Sequence, residues 1–226
     1  MNKITQDNDA VTDGRSARWQ AHRSQRHTEL LKLARKAVHK LGPQVSMEDI
    51  AAHAKTSKPV YYRYFGDKEG LRQALGAVVI TDFRDSIIAA GLAEGDEAGA
   101  LRAMVTAYLE LAKGSPNLYF FVTAQAPDVL TAPDRTATGS LGVLNAFFDE
   151  VTALMNERLT AHLAGNTHSA SKATGLWPRA ALGMIRSAGE IWLRQPEGED
   201  KATLNEMAQA LSSWLTHGIS TTQRSA

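Results

Sequence analysis

From Arg23 onward, apolar residues recur three and four positions apart along almost every segment, and no stretch sustains the alternation of a half-buried strand. With alanine and leucine abundant, that period predicts an all-α fold. The breaks constrain the chain as much as the periods do. Leu30, Leu33, Ala34, Ala37, Val38 and Leu41 share one face of a helix counted from near Arg23, and Gly42-Pro43 ends it. Ser46 followed by Asp49 makes a capping-box pattern, in which hydroxyl and carboxylate satisfy free backbone amides, and Ile50, Ala51 and Ala54 give this short second helix its buried side. Lys55-Thr56 leaves room only for a tight connection. Ser57 then stands where it caps a third helix through Phe65, with Pro59 tolerated because a first-turn amide has no intrahelical partner. Gly66-Asp67 breaks the chain again, Asp67 caps a longer fourth helix, and Leu71, Leu75, Val78 and Val79 carry its apolar face.

Further breaks fall at Gly91 to Gly99, Gly114 to Pro116, Ala126 to Gly139, Gly165 to Gly175 and Gln195 to Gly198, and the four or five longer helices between them predict a bundle. Ala126 to Gly139, with two prolines, and Asn166 to Thr174, rich in Ser and Thr, read as mobile loops. The 226 residues contain no cysteine, which excludes disulfides, thiolate metal sites and cysteine nucleophiles. The opening MNKITQDNDAVTDGRS is polar, without the apolar core of a signal peptide, and no run approaches the roughly 18 apolar residues of a membrane helix. The expectation is a soluble, cytoplasmic, nucleoid-associated protein with no membrane partner.

Charge is divided along the chain. Arg15 to Arg72 holds 13 Lys/Arg against 5 Asp/Glu, while the remainder holds 12 against 19, so a net charge of +1 conceals a basic front and an acidic body. A phosphate-binding head on a separate regulatory domain has this distribution, and so does a protein with one solvated basic face.

Two short helices joined by a tight turn, the second basic and aromatic, behind a longer helix that can brace them, describe a helix-turn-helix. The residues from Ser46 to Leu71 sharpen that reading: Ser46, Ile50-Ala51, Ser57, Tyr62 with Phe65, then Lys68 and Leu71. This run closely resembles the signature of the TetR (tetracycline-repressor) family, over about 50 residues from Arg23 to Leu75. One departure is the turn, where the family usually has Gly-Val before the serine and this chain has Lys55-Thr56; lysine enters the left-handed conformation at a cost of about 1 kcal/mol or more. The resemblance implies an N-terminal three-helix, homeodomain-like DNA-binding domain over 23–70. The polar residues 1–22 before it read as a flexible arm, from which Arg15 and Arg18, with Arg23 at the junction, are available to reach along DNA. A C-terminal effector-binding and dimerisation bundle over 71–226 follows.

A recognition helix enters the major groove by its N-terminal residues, so Lys58, Pro59 and Val60 are the candidates to meet base edges, with Tyr64 one turn on. Tyr62, Arg63 and Lys68 suit phosphates, and Ser46 and Ser57, caps first, can also donate to phosphate. Tyr61 and Phe65 read as core on helical spacing, and His53 as a solvated or capping residue. By resemblance, the bundle encloses an effector pocket whose candidates are Met104, Tyr108, Phe120, Phe121, Gln125, Phe147, Phe148 and Trp177; the same residue types also fill cores. They suit a lipophilic small molecule. Helices over about Pro178 to Arg194 and Asp200 to Gly218 resemble those through which the family forms homodimers, and two heads about 34–36 Å apart read a palindrome that one head cannot.

These readings point to a regulator, in particular a repressor, that binds palindromic double-stranded operator DNA and is released by a small-molecule effector. No enzyme, cofactor or metal is implied: there is no GxSxG, phosphate-cradling glycine loop or HExxH, and His162, His168 and His217 lack ligand spacing. The main alternative is an architectural or protein-regulated DNA binder without an effector, and a helical adaptor that binds only proteins is a third.

Overall fold

A computed structural model describes residues 8–124, 148–155, 157 and 176–217, and all regular structure among them is helical. The helices are α1 (Asn8–Leu41), α2 (Met47–His53), α3 (Lys58–Phe65), α4 (Lys68–Ala93), α5 (Glu97–Gly114), α6 (Pro116–Thr123), α7 (residues 148–155), α8 (Trp177–Arg194) and α9 (Leu204–His217). The chain divides into two compact units, Met1–Leu71 and Arg72–Ala226. The pocket candidates Gln125 and Phe147, and the two stretches read as mobile loops, lie outside the described residues.

In the first unit, α1 begins at Asn8, well before the start near Arg23 that periodicity predicts, so residues expected in a flexible arm are helical. The reason lies in what periodicity detects. Residues 16–25 are all exposed, so there is no buried stripe to find, and the segment rests on helix formers such as Ala17, Gln20, Ala21 and its arginines. From Leu30 the helix has a core face: Leu30, Ala34, Ala37 and Val38 are fully buried, together with Ile50 of α2 and Tyr61 of α3.

Local chemistry sets the short elements. Ser46 caps α2 with a complete capping box: its hydroxyl oxygen accepts from the Asp49 amide (3.1 Å), and its own amide donates to the Asp49 carboxylate (3.3 Å). Ser57 stands at the N-cap of α3 in extended geometry, but its side chain makes no capping bond, contrary to the expectation; Lys58 and Pro59 occupy the first turn instead. The Asp67 carboxylate accepts from the Gly70 amide at the start of α4 (2.8 Å). Gly70 is required there, since a Cβ would lie 2.0 Å from the Phe65 carbonyl oxygen, a backbone atom that cannot give way.

The second unit is organised around α5. Met104 joins Ile80 and Ile87 of α4, Phe148, Val151 and Met155 of α7, and Ala181 and Leu182 of α8 in one apolar cluster. The next residue, Val105, joins Leu109, Ile185 and Trp192 of α8, and Ala208 and Leu211 of α9 in a second. A reciprocal Thr203–Glu206 pair starts α9, in which the Thr203 amide donates to the carboxylate (2.8 Å) and the Thr203 hydroxyl oxygen accepts from the Glu206 amide (3.2 Å).

The helix-turn-helix connection carries one strained residue. Lys55 has φ 51, the sole non-glycine at positive φ among the described residues, and its side chain is exposed. Lys55→Gly removes the left-handed penalty and loses no buried contact, while it adds chain entropy to the unfolded state. The expected outcome is a net gain of about 0.5–1 kcal/mol in chemical unfolding. A lower unfolding midpoint would show that the lysine side chain stabilises the turn.

Candidate nucleic-acid interface

The recognition-helix candidate, α3, is eight residues long, too short to hold itself together in water. Tyr61 supplies the anchor. It is fully buried, and its hydroxyl donates to the Leu30 carbonyl oxygen on α1 at 3.0 Å. Burial pushes its phenol up to about 12, so the donor keeps its proton at any pH the fold meets. Phe65 stacks on Tyr61 with ring centroids 5.7 Å apart and meets the His27 ring at 4.9 Å. One face of α3 is thereby fixed against α1, and the residues on its other face are turned outward.

Among the other residues of α3, Lys58, Pro59, Tyr62 and Arg63 are exposed, and Val60 and Tyr64 are half-buried. The Lys58 ammonium lies 3.7 Å from Glu48 of α2 and 5.9 Å from the Tyr62 ring. Both members of that ion pair are largely exposed, so it is worth at most about 1 kcal/mol and is readily exchanged for another anion. Arg63 covers the Tyr64 ring at 5.3 Å, which leaves its guanidinium edge outward. Lys68 is placed differently from the others: its ammonium donates to the Gln44 carbonyl oxygen (3.3 Å) across the base of the motif. Ser46 and Ser57, exposed at the starts of α2 and α3, complete the predicted set. Lys58, Pro59, Val60, Tyr62, Arg63 and Tyr64 thus share one element, which presents cationic and aromatic groups without a described carboxylate of its own.

The second unit contains a cavity of about 70 Å³, lined almost wholly by carbon, whose described walls include Phe83, Met104, Tyr108, Tyr119, Phe148 and Leu182. Three of the predicted pocket residues, Met104, Tyr108 and Phe148, line it. Phe121 is instead buried in the core, Phe120 lies under the Arg194 guanidinium at 4.3 Å, and Trp177 packs against the cluster around Phe148.

No local sequence pattern signals the polar group at the edge of this cavity. Tyr119 donates to Glu190 Oε1 (3.0 Å), the Tyr108 and Tyr119 hydroxyls are 2.8 Å apart, and Arg186 Nε donates to the same Glu190 oxygen (2.9 Å). An ionised carboxylate only accepts, so Tyr119 spends its proton on Glu190, and Tyr108 donates to Tyr119. Burial pushes Tyr108 up to about 12 and Tyr119 well above an ordinary phenol, so both stay neutral. Tyr119 and Glu190 are 71 positions apart, a separation at which no local pattern joins them. Only the i,i+4 spacing of Arg186 and Glu190 was available to be read.

Comparison with known proteins agrees with this geometry. A family model described as bacterial regulatory proteins, tetR family, matches residues 30–75, from the Leu30 that holds Tyr61 to the first turns of α4. HTH-type transcriptional regulators of Mycobacterium tuberculosis strains H37Rv and CDC 1551 are each 30% identical over 189 residues, which is 82% of this chain and 75% of theirs. Among solved structures, the transcriptional regulator FadR from Bacillus subtilis in complex with stearoyl-CoA superposes with a TM-score of 0.63 at 16% identity, over 85% of this chain and 98% of that one. AibR in complex with isovaleryl coenzyme A and operator DNA gives 0.60 at 14%, over 83% and 96%. The TetR-like regulator LfrR from Mycobacterium smegmatis in complex with proflavine gives 0.56 at 22%, over 88% and 98%.

The cap of α2 makes a pH prediction. The Ser46 hydroxyl (2.6 Å), and then its amide, donate to the Asp49 carboxylate and hold it below the usual carboxylate range. A folded-state pKa below the unfolded value contributes stability that is present above about pH 4 and is lost as pH falls through the folded value. The difference in unfolding midpoint between wild type and Asp49→Asn is therefore expected to shrink as pH is lowered from about 6 to 3. A difference independent of pH would mean that the carboxylate's charge is not what the cap uses.

Proposed function

The chain belongs to the tetR family of bacterial regulatory proteins and is a transcriptional regulator, and from that membership we propose that it is a repressor that binds palindromic operator DNA as a homodimer and leaves it when a small apolar effector enters the second unit. The observation that carries the DNA-binding part is the buried Tyr61–Leu30 hydrogen bond, which commits one face of α3 to the fold and leaves Lys58, Pro59, Tyr62 and Arg63 outward. Lys58, Pro59 and Val60 read base edges, with Tyr64 one turn on. Tyr62, Arg63 and Lys68 hold phosphates, aided by the serines at the helix starts, Ser46 and Ser57.

The domain assignment follows the same lines, with the DNA-binding domain over 23–70 and the effector and dimerisation domain over 71–226. No described helix is long and apolar enough to cross a membrane, and we place the protein in the cytoplasm, where its DNA is. For the dimer, Leu182, Ile185, Trp192 and Leu211 are already buried within the chain. The surface left for a partner on α8 is the exposed row Met184, Ser187 and Ile191, three and then four residues apart on one face.

The relatives solved with stearoyl-CoA, isovaleryl coenzyme A and proflavine support a small-molecule effector. The working mechanism is a population shift: α4 starts in the first unit and continues through the second, and an effector that favours the DNA-incompetent state by roughly 1–3 kcal/mol releases the operator. The size of the cavity favours a second reading. At about 70 Å³ it is well below the roughly 300 Å³ at which drug-sized sites begin, as a DNA binder without an effector would have it.

The test is selection of duplexes from a random pool, followed by fluorescence anisotropy on the recovered operator. Lys58→Ala is expected to relax base preference at one position of each half-site. Lys68→Gln is expected to weaken binding to all sequences alike and to flatten the log–log salt dependence by about one unit. Equal binding by wild type and a Lys58→Ala/Tyr62→Ala/Lys68→Ala protein would remove α3 from the interface.

A further inference from the structure

The amino-terminal part of α1 has a physical oddity that the helix-turn-helix does not explain. Residues 16–25 form helix with every side chain exposed, and Trp19, the largest of them, is 71% exposed. An isolated helix of this length is marginal in water, and an exposed indole on it contributes nothing to the fold. Between this segment and α3 lies an open groove of about 520 Å³, lined by Ser16, Trp19, Gln20, His22 and Arg23 of α1 and by Arg63 and Tyr64 of α3. Among the described residues, neither Arg23 nor Arg63 has an ion-pair partner. The sequence from Gly14 to Thr28 contains four arginines, two histidines and no acidic residue.

We infer that this groove is a second nucleic-acid contact, taking the sugar-phosphate backbone of the duplex that flanks each half-site. This rests on the DNA-binding reading above and extends it. Three observations select the occupant. The two guanidiniums call for an anion, and a wall without an acidic residue supplies none, which favours a polyanion. The indole of Trp19 and the ring of Tyr64 offer flat apolar faces that suit deoxyribose, which lies between successive phosphates. The groove is continuous with the outward face of α3, because Arg63 and Tyr64 belong to both. Phosphate contacts carry no base information, so the groove adds affinity and fixes orientation without altering the sequence read by Lys58. A contact with DNA also gives a function to a helical segment that buries none of its side chains in the fold.

The experiment compares two duplexes built on the operator recovered by selection, one ending at the outer edges of the half-sites and one extended by a full helical turn on each side. Anisotropy titrations use wild type and Trp19→Ala/Arg23→Gln, both of whose altered residues are exposed, with circular dichroism to check helix content. On the extended duplex the variant is expected to bind about tenfold more weakly, with a salt slope reduced by about one unit per protomer. On the short duplex the two proteins should bind alike. A direct readout is the Trp19 emission, taken as the difference between wild type and Trp19→Phe, which should be shielded from acrylamide by the extended duplex and not by the short one. Equal binding by wild type and variant on the extended duplex would overturn the inference while leaving the DNA-binding reading intact. Recovery of no duplex at all would overturn both. A variant unchanged on DNA but altered in sedimentation would assign the groove to a second copy of the chain instead.

Discussion

The hydrogen bond from the Tyr61 hydroxyl to the Leu30 carbonyl oxygen is the constraint on which the DNA-facing half of this protein depends. Eight residues cannot sustain a helix in water, because nucleation fixes several dihedrals for each hydrogen bond gained. The stability of α3 is therefore borrowed from burial of Tyr61 and Phe65 against α1. Burial of a tyrosine is favourable only if its hydroxyl finds a partner, and a helix carbonyl with a spare lone pair supplies one without breaking the α1 ladder. The consequence is directional. Once Tyr61 points inward, Pro59 and Arg63, each two positions from it, must point away, so the buried contact sets the angle at which the exposed side of α3 is presented.

The parts of the fold that rest on neighbours in sequence were legible, and those that rest on distant neighbours were not. Ser46 and Asp49 are three residues apart, and their reciprocal bonds can be read from spacing alone. The assignment of Tyr61 and Phe65 to the core follows from period, as does the end of α1 at Gly42, where φ is 101. Ser57 shows the limit of such reading: the position is a cap by geometry, yet its side chain makes no capping bond. The helix before Arg23 was invisible for the opposite reason. Periodicity finds helices through what they bury, and residues 16–25 bury nothing.

In the second unit the difficulty is one of selection. Apolar side chains at helical spacing were easy to find, but three-dimensional packing decides which of them face a void and which face each other. Met104 and Val105 are adjacent in sequence and belong to separate clusters, one beside the cavity's α7 wall and one under α9. Phe120 and Phe121 likewise diverge, the first towards Arg194 and the second into the core. The polar group of Tyr108, Tyr119, Arg186 and Glu190 draws on three helices, and each residue alone resembles an ordinary member of its own helix.

That group bears on what the cavity can accept. Its hydrogen-bonding groups are already committed: Arg186 and Arg194 both face Glu190, at 2.9 and 3.6 Å, and the Tyr108 hydroxyl donates to Tyr119, which donates to the same carboxylate. Displacing Arg186 from Glu190 would leave a largely buried charge unmatched, which costs several kcal/mol. An apolar group in the cavity meets a surface that is almost wholly carbon and displaces none of these bonds. Its cost is mechanical instead, since a void of about 70 Å³ must widen, and close-packed walls widen by moving the helices that carry them. Phe83 and Val79 are on that wall and on α4. The smallness of the cavity thus ties any widening of it to movement of α4.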